Sequence, residues 1–197
     1  MIKGVVFDFG GVMTTSTVPM RVVALAAELG IPWSAIASGF DRYRRQYDGG
    51  FLSFEEMYDR IWADAGIEVS AADAARIRAA DHASWLYRNE RTLEWMKALK
   101  ARGFRIGILT NMAPDFAPRF KEHFADFIAL ADAMVISGEE GLYKPQRAIY
   151  DLLRGRIGLP AEELLFIDDV EDNCEGARAA GWQAVRFESN DQVEGVI

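Results

Sequence analysis

Short apolar runs recur along the chain, and the stretches between them carry apolar residues at helical spacing. The runs are Gly4-Val5-Val6-Phe7, Phe104-Arg105-Ile106-Gly107-Ile108-Leu109, Ala133-Met134-Val135-Ile136, Leu164-Leu165-Phe166-Ile167 and Gln183-Ala184-Val185-Arg186-Phe187. Runs of this length, bounded by turn residues, read as strands buried on both faces, the pattern of a parallel sheet. Between them, Thr92 to Lys100 places Trp95, Met96 and Leu99 on one helical face, and Gly103 stops that helix. Pro145 is expected in the first turn of a second helix that carries Ile149, Leu152 and Leu153. A third helix ends between Ala177 and Gly181. Strands alternating with helices predict βαβ units, hence an α/β fold with a parallel sheet.

The segment from Thr15 to Arg88 breaks this alternation and contains no convincing strand. Ser53-Phe54-Glu55-Glu56 has the form of a capping box, and Phe54, Met57, Tyr58, Ile61, Trp62 and Ala65 follow at helical spacing. Ala71 to Trp85, rich in Ala, Arg and Asp, is helical as well. The expected organisation is therefore an α/β core of residues 1–15 and 90–197, interrupted after its first strand by a helical unit of residues 16–89. Trp33, Trp62 and Trp85 are expected to pack inside that unit.

Composition narrows the range of partners. The 197 residues carry 30 acids against 22 bases, a formal charge of −8, so bulk attraction to nucleic acid or an anionic membrane is not expected. The densest basic cluster, Arg42-Tyr43-Arg44-Arg45, reads as part of a solvated helix face. A single cysteine, Cys174, rules out a disulfide within the chain and reads as a small buried helix residue. No signal-like start and no run of about 18 apolar residues is present, so a cytoplasmic location without membrane contact is expected. The aromatic content of the helical unit would allow a homodimer, and burial within the unit explains it equally well.

Chemistry-bearing residues recur where the apolar runs end. Asp8 closes the first run and precedes Phe9-Gly10-Gly11-Val12. Thr110 and Asn111 follow the second, Lys144 precedes Pro145, and Asp168 and Asp169 follow Ile167, with Asp172 and Asn173 close behind. Carboxyl ends of parallel strands are where open α/β sheets bind ligands. Each feature alone has an ordinary reading: a Thr as helix cap, a Lys in solvent, paired acids complementing a helix dipole. In this order and spacing they resemble the four motifs of the haloacid dehalogenase superfamily, over nearly the whole chain. The first motif is Asp8 with Val12, the second Thr110, the third Lys144 and the fourth Asp168-Asp169. The helical unit is similar to the first class of cap in that superfamily. Gly49-Gly50 before the capping box, with Asp168-Asp169 and Asn173, most resembles the subgroup related to the amino-terminal phosphatase domain of soluble epoxide hydrolase.

The resemblance implies a Rossmann-like core with an inserted cap, and a Mg²⁺-dependent hydrolase of a small phosphorylated metabolite. Asp8 would attack phosphorus and form an aspartyl-phosphate. Mg²⁺, which takes hard oxygen ligands, would be held by Asp8, the main-chain carbonyl of Gly10, Asp169, and Asp168 as ligand or support. Lys144 would neutralise Asp8 and the phosphoryl oxygens, while Thr110, Asn111 and the main chain around Gly10 and Gly11 would hold them. One position departs from the pattern. The second Asp of the first motif, which carries the proton to and from the leaving oxygen, is Gly10 here. A phosphatase favouring good leaving groups is the leading expectation, with sugar 1-phosphates, acyl phosphates or aryl phosphates as substrates and His82 or Asp41 as substitute proton carriers. The alternatives are a catalytically silent phospho-ligand-binding or scaffolding protein, and a metal-free dehalogenase, in which Asp168-Asp169 would have no task.

Overall fold

The computed structural model describes residues 1–16 and 18–194. Strand β1 (Gly4–Phe7) leads through a tight turn at Phe9–Met13 into four helices: α1 (Met20–Glu28), α2 (Trp33–Asp48), α3 (Phe54–Ala65) and α4 (Ala71–Ser84). Helix α5 (Glu90–Ala101) and β2 (Arg105–Thr110) follow, then α6 (Ala117–His123), α7 (Ala125–Ile128), β3 (Ala133–Ile136) and α8 (Ser137–Glu140). Helix α9 (Arg147–Ile157), β4 (Leu164–Asp168), α10 (Glu171–Ala179), β5 (Gln183–Arg186) and α11 (Asn190–Glu194) complete the described chain.

All five strands are parallel, in the order β3-β2-β1-β4-β5. The first strand is therefore central, with Phe7 level with Ile108 of β2 and Ile167 of β4. Strand side chains alternate between faces. Val5 and Phe7 join Ile106 and Ile108 in a cluster covered by Met96 and Leu99 of α5, Phe120 of α6 and Phe127 of α7. Val6 points the other way, into a cluster with Leu109, Phe166, Ile149, Tyr150 and Leu153. Burial on both faces is why these strands read as continuous apolar runs. Cys174 is buried in α10.

Helices α1 to α4 close a third cluster of their own around Ile36, Met57, Ile61 and Ile77. The capping box at α3 forms as the sequence implies: Glu56 N–H donates to Ser53 Oγ at 3.1 Å, and Ser53 N–H to Glu56 Oε2 at 2.7 Å. The chain leaves the sheet and returns to it side by side, since Thr14 bridges Arg88 and Thr15 N–H donates to the Tyr87 carbonyl at 2.8 Å. Among the described residues no helix is long and apolar enough to cross a membrane.

Pro145 stands before its helix and not in the first turn. The Lys144–Pro145 peptide is cis, Gln146 is still extended, and helical geometry begins at Arg147. The reason is local: Asn111 fixes the Lys144 backbone, accepting from its N–H at 2.8 Å and donating to its carbonyl at 3.1 Å.

Candidate active site

The central strand ends by pushing one carboxylate into a nearly dry space. Asp8 is 6 % exposed, and its N–H is still in the sheet, bonded to the Ile167 carbonyl at 2.9 Å. The turn after it is held from two sides. Phe9 packs edge-on to Phe120 and Phe124, with centroids 4.8 and 5.0 Å apart. Gly11 adopts φ +68°, and a Cβ there would lie 2.5 Å from Asp169 Oδ2. Glycine is required on both counts, because an L side chain disfavours this conformation and the Asp169 carboxylate occupies its space.

Asp8 Oδ1 accepts from Phe9 N–H at 2.7 Å and from Lys144 Nζ at 2.8 Å. Lys144, 1 % exposed, also donates to Asp168 Oδ2. Asp168 is fully committed: its oxygens accept from Asn173 Nδ2 at 3.0 and 3.1 Å and from Val170 N–H at 2.8 Å as well. Among the described residues Asp169 shows no such commitment of its side chain. Oxygens of Asp8, Asp168 and Asp169 all lie within 4.8 Å of one another.

The electrostatics follow from burial. Desolvation pushes the Asp8 carboxyl well above the usual range, the neighbouring Asp168 charge adds to this, and Lys144 opposes it. Asp169 is pushed up to about 6, by burial first and Asp168 second. Burial also penalises the Lys144 ammonium, but Asp168 and Asp8 outweigh it and hold it above its ordinary value. When ionised, three carboxylates against one ammonium leave two negative charges in excess, and burial and mutual repulsion oppose that state unless a cation joins them. An oxygen-only donor set with that imbalance suits a hard divalent cation.

Lys144 is accordingly a structural keystone, joining two buried carboxylates. Lys144→Met keeps the volume but strands two buried carboxylates, and is expected to cost about 3–5 kcal/mol of stability. Urea unfolding in EDTA checks this; a loss under about 1 kcal/mol would mean that water already screens the site.

Above these residues lies a cavity of about 510 Å³. Its floor is Asp8, Gly10, Asn111, Lys144, Asp169 and Asn173. Thr110, Gly11 and Asp168 lie off the cavity wall; the buried Thr110 hydroxyl donates to the Asn111 carbonyl at 3.3 Å, and Gly11 N–H donates to the Ser16 carbonyl at 3.0 Å. The opposite wall comes from the helical layer. Trp33 and Trp85 are on it, half-buried, while Trp62 packs inside the layer. Asp41 and His82 also line the cavity; Asp41 is exposed, and His82 packs against Phe116 with its Nε2 3.6 Å from Asp115.

The sequence reading missed a charged cluster in this wall. Arg44 donates to Asp48 Oδ1 at 3.1 Å and to both oxygens of the buried Asp81 at 3.0 and 3.3 Å. Its guanidinium lies over the rings of Phe40, Tyr47 and Trp85. Burial pushes Asp48 up to about 6 despite Arg44. The Arg44–Asp48 spacing of four was the available signal; nothing local distinguished it from the solvated pairs around it.

A family model for haloacid dehalogenase-like hydrolases matches residues 2–181. The chain is 27 % identical to a sesquiterpene phosphatase, astK, of Aspergillus oryzae, over 91 % of this chain and 86 % of that protein. It is 24 % identical to a drimenol cyclase, drtB, of Aspergillus calidoustus over 98 % of its own length, but spans only 35 % of that larger protein. In fold it resembles the wild-type HAD family enzyme bt-2542 of Bacteroides thetaiotaomicron, a structure in complex with magnesium and inorganic phosphate, with a TM-score of 0.71 and 21 % identity over 95 % of each chain. The family match spans the central strand that bears Asp8, the Lys144 loop and the Asp168-Asp169 strand end, and on it this chain belongs to the haloacid dehalogenase-like hydrolases.

Proposed function

We propose that the chain is a Mg²⁺-dependent phosphatase acting on a small organic phosphate monoester through an aspartyl-phosphate on Asp8, with residues 16–89 as a cap over the site. The observation that carries this reading is the buried Asp8–Lys144–Asp168–Asp169 cluster with its two excess negative charges, opening on one cavity. Phosphatases are among the relatives, and the excess charge argues against a metal-free dehalogenase, in which it would go unneutralised.

The roles follow from which atoms are already engaged. Asp8 and Asp169, with the Gly10 carbonyl, would hold the ion. Bound Mg²⁺ would supply the positive charge that lets a carboxylate approach a phosphate. The hydrogen bonds of Asp168 favour it as the support that aims Lys144, and those of Asn111 favour it as the clamp on the Lys144 backbone. Lys144 would offset charge on Asp8 and the phosphoryl oxygens, with Thr110 shaping the floor behind them. Asp8 would then attack phosphorus as the bond from phosphorus to the leaving oxygen breaks; that oxygen would depart as an anion and take its proton from water, and a further water would release phosphate from the aspartyl group. The cap would exclude bulk water during these steps. Tyr47 to Asp115 at 2.7 Å, Arg78 to Asp115 at 2.8 Å and Arg45 to Asp172 at 3.2 Å tie it to the core.

Gly10 offers no proton to the departing oxygen, so leaving groups that depart as stable anions are favoured. Phosphate release from acyl phosphates and from aryl and alkyl monoesters, in Mg²⁺ and in EDTA, tests the assignment. Mg²⁺-dependent release graded by leaving-group acidity is expected; no release from any ester, with the protein folded and Mg²⁺ bound, would move the assignment to a phospho-ligand-binding protein. Gly11→Ala gives a separate check on the ion site. Its Cβ displaces Asp169 and the backbone strain adds about 1–2 kcal/mol, so Mg²⁺ affinity by calorimetry should fall at least about tenfold. Unchanged affinity would remove Asp169 from the ligand set.

A further inference from the structure

The cavity wall makes a narrower statement about the substrate than the catalytic floor does. We propose that the leaving group is an uncharged, apolar alcohol or phenol large enough to fill the space under the cap, and not a polyol or a carboxylate-bearing fragment. The inference rests on the phosphatase reading above for its chemistry, and on the wall for its specificity.

Three observations carry it. First, the wall away from the floor carries Trp33, Phe40, Trp85, Met112 and Phe116 as its largest apolar faces, beside the polar group of Asp41, Arg44, Tyr47, Asp48 and His82. Aromatic faces of this kind reward apolar burial and offer few partners for hydroxyl groups. Second, among the described residues no cation on the wall is free for a second anion. Arg44 and Lys144 are each already paired with two carboxylates, and His82 Nε2 lies 3.6 Å from Asp115. Asp41 and Asp48 add negative charge instead, so a carboxylate or second phosphate on the substrate would meet repulsion. Third, apolar side chains stand exposed at the cavity: Val18, where the chain enters the helical layer, is 42 % exposed, and Val170, beside Asp169, is 43 % exposed. Singly they mean little, but both line the same cavity.

Size points the same way. About 510 Å³ lies within the range of roughly 300–1,000 Å³ that holds drug-sized molecules. A two-carbon leaving group would leave most of it filled with water against aromatic rings. Apolar transfer predicts a gain of about fourfold in affinity for each methylene that the wall takes out of water. The requirement set by Gly10 and the requirement set by the wall are independent, and an aryl or isoprenyl phosphate satisfies the second whether or not it satisfies the first.

The test is a kinetic series of ethyl, butyl and octyl phosphate with Mg²⁺, together with geranyl phosphate, 1-naphthyl phosphate, 2-phosphoglycolate and ribitol 5-phosphate. Acetyl phosphate serves as the control for the chemistry, since it makes no demand on the wall. Hydrolysis of acetyl phosphate together with a rise in kcat/KM of about 10²-fold or more from ethyl to octyl is the expected result. The naphthyl and geranyl arms then separate an aryl from an isoprenyl leaving group. A flat series, or 2-phosphoglycolate or ribitol 5-phosphate exceeding octyl phosphate, would overturn the inference while the phosphatase reading stood. Should acetyl phosphate not be hydrolysed, that reading fails, and calorimetry with octylphosphonate and ethylphosphonate decides the inference separately. Octylphosphonate binding at least tenfold tighter supports the apolar wall, and equal affinity rejects it.

Discussion

Asp8→Asn is expected to lower phosphate release from every ester by about 10⁴-fold or more, because it removes the attacking atom itself. The substitution is isosteric, and the amide oxygen still accepts from Phe9 N–H and Lys144 Nζ, so the turn after β1 keeps its anchors. The wild-type carboxyl is held well above its ordinary range by burial and by Asp168, which means that its charge is unfavourable to the fold without a cation. A neutral amide relieves that repulsion. The variant should therefore be inactive yet melt at the same temperature as the wild type or a few degrees higher in EDTA. This pairing of lost turnover with retained stability separates a chemical role from a structural one, in contrast to Lys144→Met, which is expected to lose both. Turnover within tenfold of the wild type would remove Asp8 as the nucleophile.

The sheet was legible because its strands have no solvent face. Five apolar runs, each ended by glycine, polar or helical sequence, leave little choice of element, and the observed strands begin and end within a residue or so of those runs. The position of the site was legible for a related reason: parallel strands bring the residues at their carboxyl ends, Asp8, Thr110 and Asp168, to one end of the sheet, where the cavity lies. The opposite wall was not legible. Arg44 looked like part of a solvated basic run, although it pairs with Asp81, thirty-seven residues away. Trp33 and Trp85 have the spacing of packing residues, and only the orientation of the helices turns them to the cavity. Helical periodicity says which residues share a face; it does not say what the face meets. The lining of the cavity depends on that second question, which is why the family was legible in the sequence and the cavity wall was not.

Gly10→Asp tests the one departure from the family pattern, and its outcome depends on Trp85. Gly10 sits at φ −62° and ψ 134°, a conformation open to any residue, so an aspartate there carries no backbone strain. A Cβ would touch Trp85 Cζ3 at 3.6 Å, an ordinary contact, so the carboxyl beyond it has to find room beside the indole. The ring does not give way freely: its Nε1 donates to Asp81 Oδ1 at 3.2 Å, and the Arg44 guanidinium lies 5.7 Å from its centroid. The single variant is thus expected to gain little, and Gly10→Asp with Trp85→Ala to gain about 10²–10⁴-fold in kcat/KM on alkyl phosphates, the usual return from a placed acid–base group. Surrounding carboxylates would raise the pKa of the new acid, and an acid that keeps its proton near neutrality is what the departing alkoxide needs. Acetyl phosphate supplies the contrast. Its leaving group departs as a stable carboxylate, so its rate should change less than tenfold in either variant. If the double variant keeps the acetyl phosphate rate and gains nothing on ethyl phosphate, which makes little use of the Trp85 face, another group already carries the proton, and Asp48, His82 and Asp41 on the cavity wall become the residues to replace next.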